Sequence, residues 1–142
     1  LEYVGAYLNL PFIRVLEVAT FYSMFNLKPV GEHLIEICTT TPCWLRGSAD
    51  IVKACEDDLG ISIGETTKDG QFTIREVECL GACVNAPVCM AHKKFYEDLT
   101  PETMTSLLRA LRAGKAPKPG PQIARQTSAP VGGPTVLRDF AK

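Results

Sequence analysis

Residues 33–43, HLIEICTTTPC, decide the fold because they carry the signals of a strand followed directly by a helix. The first five of them alternate apolar and polar side chains closely enough to predict a strand. Thr41 is a favourable N-cap, and Pro42 suits the first position of a helix. This helix is expected to run to Leu59 and to end at Gly60, a residue type that often follows a helix C-terminus. The stretch therefore predicts a strand-to-helix turn with a cysteine on each side of it.

The elements downstream predict a mixed sheet covered by helices. Residues 72–77 have the composition of a strand, and residues 88–96 are expected to form a hairpin. Thr100 and Pro101 predict the start of a last helix, which runs to about Ala113. This order predicts an α/β fold with a four-stranded mixed sheet, as in thioredoxin-like proteins. The apolar faces of the two helices predict their buried side chains: Ile51, Val52, Cys55 and Leu59 in the first, and Met104, Leu107, Leu108 and Leu111 in the second.

Residues 1–31 predict a helical segment ahead of this domain. Apolar side chains between Val15 and Phe25 recur at spacings that share one helix face, and Pro11 is expected to separate a short helix from a longer one. The large apolar side chains at the end of this segment are expected to pack in a core, and a surface for a partner is the alternative. They are Phe21, Tyr22, Met24 and Phe25.

Charge is unevenly distributed along the chain. The 142 residues carry a formal net charge of −1, but residues 113–142 hold five basic residues against one acidic residue, so the remainder is acidic overall. The same segment has five prolines and four glycines, which excludes a helix there. Residues 115–142 are therefore predicted to be an extended basic tail, either disordered or lying along an acidic partner. With residues 1–31 and 32–114, the tail completes three predicted regions.

Composition excludes several classes of protein. Apolar residues make up 46 % and charged residues 22 % of the chain, which is ordinary for a folded protein. No apolar run approaches the ~18–20 residues of a membrane span, so no direct membrane insertion is expected. The near-zero net charge gives no indication of nucleic-acid binding. Neither a G-x-G-x-x-G turn nor a Walker loop is present, so hydride chemistry on a nucleotide would have to occur on another chain.

The six cysteines divide by sequence context. Cys55 lies on the apolar stripe of a helix and Cys89 inside an apolar run, so both are expected to be core residues. The other four form two loop pairs with C-x4-C and C-x3-C spacing, Cys38 with Cys43 and Cys79 with Cys83. Two loop pairs that a sheet brings together predict a site of four thiolates.

The spacing of the pairs favours a [2Fe–2S] cluster, which takes four cysteines across two irons. Structural zinc stays an alternative, although zinc pairs are most often C-x2-C and both loops here are wider. A disulfide or a redox dithiol is a third alternative, less favoured because no C-x-x-C is present. His33 and His92 are not spaced like ligands, so the candidate ligands are cysteines.

The surroundings of the cysteines favour an anionic cluster. Gly81 would let the loop backbone approach closely, and a position in the first turn of a helix favours the thiolate of Cys43. The hydroxyl groups of Thr39, Thr40 and Thr41 are expected to add hydrogen-bond donors, unless Thr41 caps the helix instead.

Four motifs together resemble one family. They are VATFYSMF at 18–25, CTTTPC at 38–43, ECLGACVNAP at 78–87 and TSAPVGGP at 127–134. The chain resembles the small [2Fe–2S] subunit of the NADH-oxidising module of respiratory complex I (NADH:quinone oxidoreductase). The resemblance covers nearly the whole chain, and ECLGAC followed by AP is its most specific part.

The resemblance implies a thioredoxin-like domain behind a longer N-terminal helical segment than this chain has. It implies one [2Fe–2S] cluster and no catalytic residue on the chain, with these ligands: Cys38, Cys43, Cys79 and Cys83. It also implies a flavoprotein partner that binds NADH and FMN and passes single electrons from the reduced flavin, together with further subunits of a peripheral arm. That arm would lie on the cytoplasmic side of a bacterial inner membrane or on the mitochondrial matrix side. The equivalent subunit of an NAD-linked hydrogenase or formate dehydrogenase is an alternative, and a zinc-stabilised adaptor is another.

Overall fold

The computed structural model of the chain describes residues 1–133, 135 and 136. Pro134 and residues 137–142, which belong to the predicted tail, lie outside the described residues. The chain divides into two compact units, Leu1–Val30 and Gly31–Lys142. The candidate cysteines all belong to the second unit.

The first unit consists of two short helices, α1 over Glu2–Leu8 and α2 over Phe12–Phe21. α1 ends at Asn9, which has a left-handed φ of 53°, and Pro11 is the N-cap of α2, so the predicted break at this proline is confirmed. Among the described residues no single helix is both long and apolar enough to cross a membrane. α1 and α2 reach that length and composition only as a pair, bent by 119°.

The apolar group at the end of α2 does not pack in a core. Its four side chains are all exposed: Phe21, Tyr22, Met24 and Phe25. The helices themselves bury only Gly5 in α1 and Ala19 in α2, because seven and ten residues offer too little surface to cover such large side chains. The expected core packing is therefore wrong for this group, and a partner surface stays a prediction.

Within the described residues, five strands form one mixed sheet in the order β2-β1-β3-β4-β5. Their bounds are His33–Cys38 for β1, Phe72–Val77 for β2, Cys89–Ala91 for β3, Lys94–Glu97 for β4 and Gly120–Pro121 for β5. β1 pairs in parallel with β2 and antiparallel with β3, and β3 and β4 form the predicted hairpin. β5 adds to β4 in parallel. The predicted four-stranded mixed sheet is confirmed, and the tail adds a short fifth strand to it.

The helices of the second unit are α3 over Thr41–Leu45, α4 over Ser48–Leu59 and α5 over Pro101–Arg112. The single helix predicted for residues 42–59 is wrong, because Gly47 takes a left-handed φ of 91° and separates α3 from α4. The predicted ends are confirmed, since Gly60 follows α4 with a φ of 65° and Thr100 caps α5 together with Thr103.

The main core is built from the sheet together with α4 and α5. Ile35 and Ile37 of β1 are fully buried in it, as are Cys55 and Cys89, which confirms that these two cysteines are core residues. The predicted apolar face of α5 is buried along its whole length: Met104, Leu107, Leu108 and Leu111. Each large side chain buried in this way contributes about 1.5–3 kcal/mol to stability. The core therefore fixes β1, and with it the carboxyl end of this strand, where the candidate site begins.

Candidate metal centre

One candidate pair lies at the junction of β1 and α3. Cys38 is the last residue of β1, and Cys43 lies within α3. Both are only 2 % exposed and share a small apolar cluster with Ala86 and Val88. This pair is therefore held by packed side chains, with its sulfur atoms largely removed from water.

The other pair lies on the loop that follows β2. Cys79 and Cys83 are both exposed, and their Sγ atoms are 3.4 Å apart. The backbone N–H of Gly81 donates to the Cys79 Sγ over 3.4 Å. Gly81 has a φ of 79°, and no atom lies within 4 Å of the place where a Cβ would stand. Glycine is thus required here by its backbone conformation rather than by a close steric approach.

The parallel pairing of β1 with β2 brings the two pairs to one edge of the sheet. Cys38 is in register with Val77, the last residue of β2, and Cys79 follows two residues later. Negative charge on Cys38 is among the smaller influences that act to raise the pKa of Cys79 and of Cys83. The structure therefore places both pairs at the carboxyl ends of two adjacent parallel strands.

Each pair combines one more acidic and one less acidic thiol. Burial raises the pKa of Cys43 to about 12. Burial also acts to raise the pKa of Cys38, but hydrogen bonds from the Thr40 hydroxyl, the Leu80 amide and neighbouring groups outweigh it and lower that pKa. On the exposed loop the Gly81 amide lowers the pKa of Cys79, and the hydrogen bond with Cys79 raises the pKa of Cys83. Cys38 and Cys79 are thus the thiols with the lowered pKa in their pairs.

Hydrogen-bond donors lie beside two of the sulfur atoms. The Gly81 amide donates to the Cys79 Sγ, and the Leu80 and Thr40 amides help to lower the pKa of Cys38. Among the three candidate hydroxyl donors, Thr40 lies 3.3 Å from the Cys38 Sγ, as expected. Thr39 instead donates to the carboxylate of Glu76, and Thr40, not Thr41, is the N-cap of α3. One hydroxyl group and one backbone amide thus lie where they would stabilise negative charge on sulfur.

The donor set fits a [2Fe–2S] cluster. Four thiols in two pairs, with the Thr40 hydroxyl beside the Cys38 Sγ and the Gly81 amide donating to the Cys79 Sγ, suit a centre that is an anion and becomes more negative on reduction. In the described part of the chain, no three His, Cys, Asp or Glu side chains are grouped closely enough to hold a single metal ion. His33 and His92 contact each other, with Nδ1 and Nε2 2.6 Å apart, and His33 lies at the opposite end of β1 from Cys38.

Exposed apolar side chains next to the cysteines were not predicted from the sequence. Trp44 and Leu45 directly follow Cys43 and are 64 % and 70 % exposed. Val84 directly follows Cys83 and is 69 % exposed. The only signal in the sequence was that these residues adjoin the cysteine loops, since a short helix and a turn give no periodicity that predicts which side is covered. We call these three residues the apolar rim of the site.

Comparison with known proteins gives a family and a set of relatives. The family model of the thioredoxin-like [2Fe–2S] ferredoxin matches residues 1–112. The chain is 59 % identical to an NADH-quinone oxidoreductase subunit of Rickettsia bellii over 112 residues, which cover 79 % of this chain and 67 % of that protein. It is 60 % identical to the protein of the same name from Rickettsia felis over 108 residues, which cover 76 % of this chain and 65 % of the relative. The chain thus spans about two thirds of the length of these relatives.

Solved structures show the same fold at low sequence identity. An NAD⁺-reducing [NiFe]-hydrogenase in its air-oxidised state aligns with a TM-score of 0.71 and 18 % identity, over 80 % of this chain and 20 % of the hydrogenase chain. A thioredoxin-like [2Fe–2S] ferredoxin from Aquifex aeolicus aligns with a TM-score of 0.50 and 19 % identity, over 62 % of this chain and 86 % of the ferredoxin. These alignments confirm the thioredoxin-like architecture predicted from the order of elements.

Proposed function

The chain belongs to the thioredoxin-like [2Fe–2S] ferredoxin family, and on that premise we propose that it is a one-electron carrier subunit of an NADH:quinone oxidoreductase. Membership of the family confirms the fold and the single [2Fe–2S] cluster predicted from the sequence. The name shared by the Rickettsia relatives agrees with the resemblance to the complex I subunit. The activity of the whole complex is likewise part of this proposal, because the chain spans only about two thirds of the length of those relatives.

The proposed ligands are Cys38, Cys43, Cys79 and Cys83. The observation that supports this assignment is the position of two thiol pairs at the carboxyl ends of adjacent parallel strands, with the Gly81 amide donating to the Cys79 Sγ. A [2Fe–2S] cluster bound there would supply reversible one-electron chemistry. Cys55 and Cys89 lie in the main core and have no part in the site.

The residues around the site would stabilise the negative charge of an added electron, and no proton needs to be transferred with it. The Gly81 amide presents partial positive charge to the Cys79 sulfur and is fixed by the backbone, so it needs no rearrangement when the charge changes. The apolar cluster around Cys38 and Cys43 keeps water from one side of the site. The exposed pair is the part of the site that another protein would approach.

The proposed partner is the flavoprotein that binds NADH and FMN and passes single electrons from the reduced flavin. Exposed apolar side chains directly after Cys43 (Trp44 and Leu45) and after Cys83 (Val84) support docking at the site, because buried aromatic side chains often dominate the affinity of an interface. Docking there would place the whole protein in a peripheral arm, on the cytoplasmic side of a bacterial membrane or on the matrix side of a mitochondrial one.

The first test is elemental analysis of the full chain purified under anaerobic conditions. We expect iron and inorganic sulfide in equal amounts, a visible absorption band, and a paramagnetic signal that is present only after reduction. A colourless protein that holds one zinc ion would overturn the proposal in favour of the zinc-stabilised adaptor.

The second test assigns the ligands by substitution with serine. We expect Cys38→Ser, Cys43→Ser, Cys79→Ser and Cys83→Ser each to reduce the iron content sharply. Cys55→Ser is the matched control, because it removes a buried sulfur outside the site. Full iron content in any of the four variants, or loss of iron from a folded Cys55→Ser protein, would contradict the assignment.

An equivalent subunit of an NAD-linked hydrogenase or formate dehydrogenase is the second candidate function. The hydrogenase alignment supports a shared fold, at 18 % identity, whereas the quinone oxidoreductase relatives share 59–60 % identity with the chain. Purification from native membranes distinguishes the two: NADH:quinone reductase activity should accompany the chain, and hydrogenase or formate dehydrogenase activity in its place would favour the second candidate.

A further inference from the structure

We propose that residues 120–129 of the tail form a latch that positions the Cys79–Cys83 loop and so determines how firmly the exposed pair holds its cluster. The inference rests on the proposed function, because it takes Cys79 and Cys83 as ligands. It goes beyond that function by assigning a role to Asn85, Asp98 and Arg125, which touch no ligand sulfur.

The latch is attached to the edge of the sheet by backbone hydrogen bonds. β5 pairs with β4 so that Gly120 lies opposite Tyr96 and Pro121 lies opposite Glu97. The backbone N–H of Gln122 continues the pairing by donating to the Glu97 carbonyl over 2.9 Å. The tail is thus an edge strand here, although its proline and glycine content predicts no strand.

A buried ion pair fastens the next part of the latch. Arg125 Nη1 donates to Asp98 Oδ1 over 2.9 Å, and the two side chains are only 7 % and 8 % exposed. Arg125 Nε also donates to the carbonyl of Ala129 over 2.9 Å, which fixes the direction of the chain beyond the ion pair. A buried, hydrogen-bonded ion pair is geometrically demanding, so its loss leaves one charge buried without compensation.

Asn85 connects the latch to the cysteine loop. It ends the short turn Cys83–Asn85, is 3 % exposed, and donates through Nδ2 both to the Glu97 carboxylate and, over 3.1 Å, to the Thr127 carbonyl of the tail. Its backbone carbonyl accepts from the N–H of Asp98 over 2.7 Å. The same residue therefore joins Cys83, the end of β4 and the latch.

The space between the loop and the latch shows that the two face each other. A cavity of about 350 Å³ is lined by Gly81, Ala82 and Val84 from the loop and by Thr127 and Ser128 from the latch, among others. The Cys38–Cys43 pair has no such dependence, because an apolar cluster packs around it. The exposed pair consequently relies on the tail for a support that the buried pair receives from the interior.

The test compares Arg125→Gln with Lys118→Gln in the full chain that carries its cluster. Both changes remove one positive charge from the tail, but Lys118 is exposed, and its side chain makes no hydrogen bond or ion pair among the interactions found in the described residues. Iron release to an excess of an iron chelator is followed by the loss of visible absorption under anaerobic conditions. We expect release from Arg125→Gln to be about tenfold faster or more, with Lys118→Gln unchanged. Arg125→Lys should restore part of the difference, because it keeps the charge beside Asp98.

Hydrogen exchange gives a second readout that needs no cluster. The amides of Asn85 and Ala86, which donate to Ala82 and Cys83, should exchange faster in Arg125→Gln, while the β1 amides stay protected. Equal rates of iron release and of loop exchange in Arg125→Gln and wild type would overturn the latch, as would uniform loss of protection that includes β1. If the wild-type chain holds no cluster, the proposed function fails, and loop exchange in the same variants still decides the latch.

Discussion

Cys38 and Cys43 lie in an apolar cluster at 2 % exposure, whereas Cys79 and Cys83 lie exposed on a loop, although both pairs project from the same edge of one sheet. The difference shows that four proposed ligands of the same chemistry need not be supported evenly. One pair is fixed by the strand β1, the helix α3 and the packing around them. The other depends on hydrogen bonds of the loop backbone and on the tail.

This unevenness suits a carrier that works at an interface. The buried pair gives the site a rigid side that water does not reach, and the exposed pair gives it a side that a partner can approach. Electron transfer benefits from a short distance to the partner, so the accessible side is the useful one. The weaker support of the exposed pair is the cost of that access.

The largest expected effect comes from Asp98→Asn, which removes one half of the buried ion pair. Asp98 has a φ of 53°, a conformation that asparagine tolerates well, so the change isolates the charge from the backbone. An uncompensated buried Arg125 costs about 3–5 kcal/mol, and because the latch pairs with β4 along a strand of only two residues, it can detach rather than unfold the domain. We expect loss of protection at the Gln122 amide and faster tryptic cleavage after Arg125.

A protected Gln122 amide in Asp98→Asn would contradict that prediction and would show that the buried ion pair does not hold the tail on the sheet. The control is Asp57→Asn in α4, whose ion pair with Lys53 is exposed on both sides. An exposed pair of this kind contributes about 0–1 kcal/mol, so tail protection should not change.

The next effect distinguishes the two pairs directly, through Cys43→Ser and Cys83→Ser. Neither variant is expected to keep its cluster, so a difference in their free energies of unfolding reflects the protein alone. Cys43→Ser places a hydroxyl group in the apolar cluster, at a cost of about 1–3 kcal/mol relative to the cluster-free wild type. Cys83→Ser changes an exposed side chain and should cost at most about 0.5 kcal/mol. Urea denaturation of cluster-free proteins measures both, and equal costs would show that the pairs are supported alike.

A smaller, local effect is expected from Gly81→Ala. The left-handed φ of 79° is unfavourable for alanine by about 1–2 kcal/mol, and the open space at the Cβ position adds no clash. The strain acts on the loop that bears Cys79 and Cys83, so iron release to a chelator should be faster. Gly64→Ala is the matched control, with a φ of 88°, equally open space and no place in the site. If both variants lose iron at the same rate, the loop conformation has no special part in holding the exposed pair.

The sequence predicts the buried pair better than the exposed one, for a physical reason. β1, the start of α3 and the core faces of α4 and α5 depend on local signals such as alternation, caps and helical periodicity. Even there, the single helix expected over residues 42–59 is wrong, because an interrupting Gly47 is also tolerated inside a helix and only the φ that it adopts reveals the break.

The surroundings of the exposed pair depend on contacts between residues far apart in the sequence. Arg125 meets Asp98 from 27 positions away, and Thr127 meets Asn85 from 42 positions away, in a segment where prolines and glycines give no periodicity. The four cysteines themselves could be chosen from spacing and context. The side of the site that is open, and the tail that supports it, follow only from the three-dimensional arrangement.

The smallest effect on stability, and the sharpest test of the open side, is expected from Trp44→Ala. Trp44 is 64 % exposed, so its removal should change the free energy of unfolding by less than about 0.5 kcal/mol. If the flavoprotein covers the exposed pair, the same change removes an aromatic side chain from the interface, where such residues often contribute about 2 kcal/mol or more, or roughly 30-fold in affinity. Binding of the purified flavoprotein, measured by sedimentation, should therefore weaken while the cluster's spectrum stays unchanged.

Val84→Ala and Val131→Ala form a matched pair of exposed valines, and only the first, beside Cys83, should weaken binding. Wild-type affinity in both Trp44→Ala and Val84→Ala would place the partner elsewhere, and the exposure of Cys79 and Cys83 would then need another explanation.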